Sequence, residues 1–122
     1  MAGDWIAWTK GLLRKPEVVR IAAAIETDRY CAACHLMGVW EWADENTADG
    51  KVAGFTVGML DEAVGVPGIG KAMADVGWLE VSGIGLTFPN WDRYNSESAK
   101  KRLQERDRKR RQRAATQPTK RY

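Results

Sequence analysis

The stretch GMLDEAVGVPGIGKAMADVGWLEV, residues 58–81, carries two short helical patterns with only Gly65-Val66 between them. Thr56 is placed to cap the first, VGMLDEAV, and Gly65 to end it. Pro67 suits the opening of the second, PGIGKAMADV, and Gly77 suits its close, where a left-handed residue is wanted. Ile69, Met73 and Val76 recur at i, i+4 and i+7 and predict its inward face, leaving Gly68, Gly70, Lys71, Ala74 and Asp75 outward. So short a connection makes a tight helix-turn-helix joint.

Beyond Gly77 the period changes from helical to alternating. WLEV, SGIG and LTFP predict a strand, a glycine-containing turn and a returning strand that ends at Pro89. Trp78, Leu79, Val81, Leu86 and Phe88 are the candidates for the buried face of this hairpin. Upstream, NTADGKVAG (46–54) breaks the pattern at Asp49-Gly50 and predicts a loop. Before it, RYCAACHLMGVWEWADE predicts one long, largely buried helix capped by Thr27 or Asp28, with Leu36, Met37, Trp40 and Trp42 packing inward. KPEVVRIAAAI predicts another helix, with Pro16 at its first position, Glu17 at the positive end of its dipole, and a stripe of Val18, Ile21, Ala22 and Ile25. The segment Asp4 to Leu13 opens with an alternation that fits a short strand. The expected fold is therefore mainly α with a small β-hairpin (α+β), a winged helix-turn-helix; an α+β domain of other topology is the alternative.

CAACH, residues 31–35, has the Cys-x-x-Cys-His spacing of covalent haem attachment. The first residues carry charges at Asp4, Lys10, Arg14 and Lys15 without an apolar run of signal or membrane-spanning length, so a cytoplasmic protein is expected. That setting disfavours both covalent haem and a disulfide. Two cysteines and one histidine fall short of a four-ligand zinc site. Cys31, Cys34 and His35 are read as packing residues of the long helix, with neither cofactor nor metal. No catalytic constellation emerges, since Asp44, Glu45 and Asp49, and the pair Asp61-Glu62, lack matching partners and read as solvated helix ends. GVPGIGK lacks the spacing of a phosphate loop and follows no strand. An enzyme is not expected.

Charge divides the chain. Residues 1–93 hold eight Lys and Arg against thirteen Asp and Glu, a net of −5, whereas residues 94–122 hold eleven against three, a net of +8. The expected organisation is a folded domain over 1–95 and a basic helical or partly disordered tail over 96–122. Lys100, Lys101, Arg102, Arg106, Arg108, Lys109, Arg110, Arg111 and Arg113 fall within fourteen residues, diluted by Glu105 and Asp107. On a helix they cover more than one face, which favours contact with a polyanion's backbone over reading of bases. Lys71 is the one cation among the outward positions of the second short helix, and Ser82-Gly83-Ile84-Gly85 offers backbone amides and no charge.

The order DWIAWTKGLLRKPEVVRIAAAI, VWEWADENTADG, GMLDEAVGVPGIGKAMADVGWLEV and LTFPNWDRYNSESAKKR resembles the N-terminal winged-helix domain of bacteriophage replication proteins, the replisome-organiser or DnaD-like primosomal proteins. The likeness covers about residues 3–102 and is most specific at GVPG…VGWLEV and PNWDRYN. It implies a domain that binds DNA or self-associates, while a separate C-terminal region of the family helps to load the replicative helicase. The present chain is then a domain of a larger protein or a stand-alone variant. Carried over by position, the DNA-reading role falls on Lys71 and on Ser82 in the wing. The expectation is a DNA-binding protein of phage-type replication initiation, contacting duplex or single-stranded DNA through the basic arm. Self-association and replication proteins such as a helicase or its loader are the other partners, and a membrane is not one. The alternatives are a small winged-helix transcriptional regulator and a protein-interaction or oligomerisation module without intrinsic DNA affinity.

Overall fold

In a computed structural model of the chain, the residues described are 6, 8–91 and 97–116. A 3-10 turn at Leu12–Arg14 buries Leu12 and leads into α1 (Pro16–Ala24). Pro16 stands at the start of α1, and Val18, Ile21 and Ala22 form its buried stripe with Ile25 half-buried beside them. Residues 6, 8 and 9 are in no strand, and the rest of the strand expected from Asp4 falls partly outside the described residues.

Helix α2 (Arg29–Asn46) begins at Asp28, whose carboxylate accepts the Cys31 amide at 2.8 Å. It ends at Thr47, whose hydroxyl donates to the Ala43 carbonyl at 2.8 Å and accepts the Gly50 amide at 3.1 Å. Ala32, Ala33, Leu36, Val39 and Ala43 make the buried face, with Met37, Trp40 and Trp42 at its margin. The cysteines are not in it. Cys31 and Cys34 are both exposed, which corrects the reading of CAACH as core. At 100° per residue they lie with Tyr30, Gly38 and Glu41 opposite the alanines, so the run of apolar letters does not make a helix buried all round.

Asp49 starts the next element by accepting the Lys51 amide at 3.1 Å. Lys51–Ala53 is a strand, β1, where a loop was expected. Three residues show no alternation, and β1 exists through pairing with the distant hairpin, β2 (Glu80–Ser82) and β3 (Gly85–Thr87). The antiparallel order is β1-β3-β2, with Val52 opposite Leu86 and Leu86 opposite Val81. At Gly85 a Cβ would sit 2.2 Å from the Val52 carbonyl oxygen, and φ is +151°, so only glycine lets β1 approach β3 there. Leu79, Leu86 and Phe88 are buried as expected, but Val81 is 54 % exposed because β2 is the sheet edge.

Helix α3 (Val57–Val64) is capped by Thr56, whose hydroxyl accepts the Met59 amide, and closes at Gly65 with φ +75°. Helix α4 (Ile69–Asp75) starts two residues after Pro67, from Gly68. One side chain joins the two. The Asp61 carboxylate accepts the Gly68 amide at 2.9 Å and the Gly70 amide at 2.8 Å, while the Asp61 carbonyl accepts the amides of Gly65 and Val66. Asp61 is thus a clamp on the joint and not a solvated helix end. Gly70, expected outward, is buried against α3: a Cβ would lie 3.0 Å from both Val57 Cβ and the Val57 carbonyl oxygen. Ile69 and Met73 enter the core with Leu36, Leu60 and Leu86. After Gly77 the Trp78 amide returns to the Met73 carbonyl at 2.8 Å and directs the chain into β2.

Residues Glu97–Thr116 form helix α5. Replacing Asp61 by Ala should lower unfolding stability by about 2 kcal/mol, since two amides lose a charged acceptor. Asp61→Asn, which keeps one acceptor oxygen, should cost less; equal stability of all three proteins in a urea titration would contradict the clamp. Gly85→Ala should cost about 3 kcal/mol by forcing β1 from β3.

Candidate nucleic-acid interface

Helix α5 has the composition to hold a helix without a core, being rich in Ala, Lys, Arg, Gln and Glu. Of its side chains over 101–113, Leu103 and Asp107, one turn apart, are half-buried and the others exposed. Ile6 and Trp8 line a cleft with Leu103 and Asp107. Arg102, Arg106, Lys109 and Arg113 follow at i, i+4, i+7 and i+11, which places them within an arc of about 60°. Together with Lys101 and Glu105 they line one shallow, open groove along the helix. The row is about 16 Å long at the α-helical rise. At about 3.4 Å of axis per phosphate on one strand, that length matches about five phosphates.

Arg108, Arg110 and Arg111 are engaged by Glu105 and Asp107. Glu105 pairs with Arg108 through both guanidinium Nε, at 3.2 Å, and a second, shorter contact. Asp107 bridges Arg110 at 3.2 Å and Arg111 at 2.5 Å. The hydrogen bond from Arg108 holds the Glu105 carboxyl below its usual range and raises the guanidinium in turn. Exposed pairs of this kind contribute little to stability, but they set which cations present uncompensated charge. Among the described residues, Arg102, Arg106 and Lys109 share their groove with Glu105, whose hydrogen bonds go to Arg108. The side chain of Lys100 lies outside the described residues.

The two candidates on the folded body are occupied within it. Lys71 is exposed on α4 and forms an i,i+4 ion pair with Asp75 at 3.0 Å, which leaves that face without net charge. The Ser82 hydroxyl accepts the Ile84 amide and donates to the Gly85 carbonyl, both at 3.3 Å, so its bonds hold the hairpin turn. The turn presents Ile84, 84 % exposed, with exposed Val81 behind it on β2. Sequence reasoning passed over Ile84 because it counted charges. The signal for Asp61 was a carboxylate one helical turn before Gly65, followed at once by Gly68 and Gly70.

A cavity of about 190 Å³ among Trp40, Trp78, Phe88 and Trp91 is smaller than the roughly 300 Å³ at which small-molecule pockets begin. No protein-family model, curated protein or solved structure matches this chain.

The Glu105 carboxyl is depressed by its pairing, so its contribution to α5 is present above the carboxylate's unfolded range and is lost as pH falls through the lower folded value. The helicity of a 97–116 peptide, followed by circular dichroism, should therefore drop on acidification below the ordinary range of a glutamate carboxyl. A Glu105→Gln peptide should show a smaller drop.

Proposed function

We propose that this chain is a non-enzymatic DNA-binding protein of phage-type replication initiation: a winged helix-turn-helix formed by α2 to β3, and a basic helix, α5, that holds phosphates. The observation that carries the reading is the row Arg102, Arg106 and Lys109, cationic side chains along one groove whose carboxylate, Glu105, is hydrogen-bonded to Arg108. Its support in the fold is the sequence of a helix, a strand, two tightly joined helices and a hairpin that returns to the first strand, which is how a winged helix is built. The replication role rests on the resemblance of residues 3–102 to replisome-organiser proteins, and a small transcriptional regulator remains its alternative within DNA binding. Binding to origin repeats or to promoter sites separates the two.

A second reading of the body is favoured by its surface. With Lys71 neutralised by Asp75 and an isoleucine at the hairpin tip, α4 and the wing suit assembly with a second copy or a replication protein better than base reading. In that arrangement the body scaffolds a complex and α5 provides salt-sensitive capture of duplex or single-stranded DNA.

If about five phosphates are engaged, the log–log slope of affinity against salt should be near −4 to −5. Replacing Arg102, Arg106 and Lys109 together by Gln should reduce its magnitude by about 3 and weaken binding to unrelated duplexes alike. The same change at Arg108, Arg110 and Arg111 should do less, because those side chains must first leave Glu105 and Asp107. Loss confined to one sequence, or equal effects of the two triples, would sink the proposed division.

A further inference from the structure

The correction at CAACH leaves two thiols without a role in the core. Cys31 and Cys34 are free, exposed, and on the outward face of the first turns of α2. The Cys31 thiol meets the Asp28 carboxylate at 3.5 Å. The face around them is open, since at Gly38, one turn further on, an added Cβ would find nothing within 4 Å. Among the described residues no group of three or more His, Cys, Asp and Glu is placed to hold a metal ion, so His35 does not complete a ligand set with them.

We propose that Cys31 and Cys34 form a surface dithiol that closes to an intramolecular disulfide by exchange with small-molecule disulfides, and reopens with thiols. Residues i and i+3 of an α-helix have Cα atoms about 5 Å apart. That lies within the roughly 4.4–6.8 Å window that a disulfide spans. Their Cβ atoms, about 5–6 Å apart on a helix, must close to about 3.8 Å. The first turn has to tighten or unwind to allow it, and a helix end is where such movement disrupts fewest hydrogen bonds. The residual strain makes the bond easy to reduce, the property of labile rather than structural disulfides.

The exchange balances without any other reactant. One cysteine thiolate attacks a sulfur of the small disulfide RSSR and expels RS⁻; the second thiolate attacks the protein-bound sulfur and expels another RS⁻. The protein gives up two electrons and two protons, and RSSR becomes two RSH. Closure also moves the Cys31 amide away from Asp28, so the oxidised chain loses the cap of α2 and should melt at a lower temperature.

The test treats the full folded chain with oxidised glutathione and reads intact mass and free thiols. The expected result is loss of both thiols, a mass lower by two hydrogens, a monomeric chain without glutathione attached, and full recovery with dithiothreitol. Cys31→Ser and Cys34→Ser should each keep one glutathione adduct, because the resolving thiol is missing. A wild-type chain carrying two glutathione adducts, chains linked to each other, or closure only in denaturant would each overturn the proposal.

Discussion

The Asp61 carboxylate organises the half of the body that holds the α3–α4 joint and the hairpin. The first amides of any helix lack intrahelical acceptors, and in α4 those of Gly68 and Gly70 are taken by a side chain of the preceding helix. A cap supplied by the residue before a helix fixes one helix end; a cap supplied from α3 also fixes the two axes against each other. Gly70 allows the approach, since any larger residue would meet the backbone at Val57. With the joint closed in this way, Ile69 and Met73 are delivered to the core, Gly77 reverses the chain, and the hairpin comes back to β1.

What could be read from sequence follows the range of the interactions involved. Thr56, Asp28, Pro16, Gly65 and Gly77 act on amides and carbonyls within a few positions of themselves, and the helices begin or end at or beside them. The misplaced features depend on partners far along the chain. β1 is a strand because the hairpin pairs with it thirty-odd positions later, in the register Lys51 to Thr87. Gly70 is buried because α3 leans on it, and Val81 is exposed because β2 is the edge of the sheet among the described residues. Cys31 and Cys34 were misjudged for another reason: in a helix with apolar letters on every side, Ala32 and Ala33 compete for the same interior, and the letters alone do not say which arc wins.

The candidate interface was half legible in the same sense. A run of nine cations between positions 100 and 113 is plain in the sequence, and so is its contrast with a body of net charge −5. The division of that run into Arg102, Arg106 and Lys109 along one groove and Arg108, Arg110 and Arg111 paired with Glu105 and Asp107 is not plain until helical geometry and side-chain pairing are combined. The same combination lowers the standing of Lys71 and Ser82, which the family resemblance had singled out and which spend their polar groups on Asp75 and on the hairpin turn.

The proposed division of labour gives the principal contact with DNA to α5 and not to α4 or the wing. The most direct test follows backbone amide chemical shifts of the isotope-labelled chain as a short duplex is added at moderate salt. The largest changes are expected at residues 101–113, strongest around Arg102, Arg106 and Lys109, with residues 69–75 and 82–85 little affected. Changes centred on α4 and the hairpin, with α5 unmoved, would contradict it.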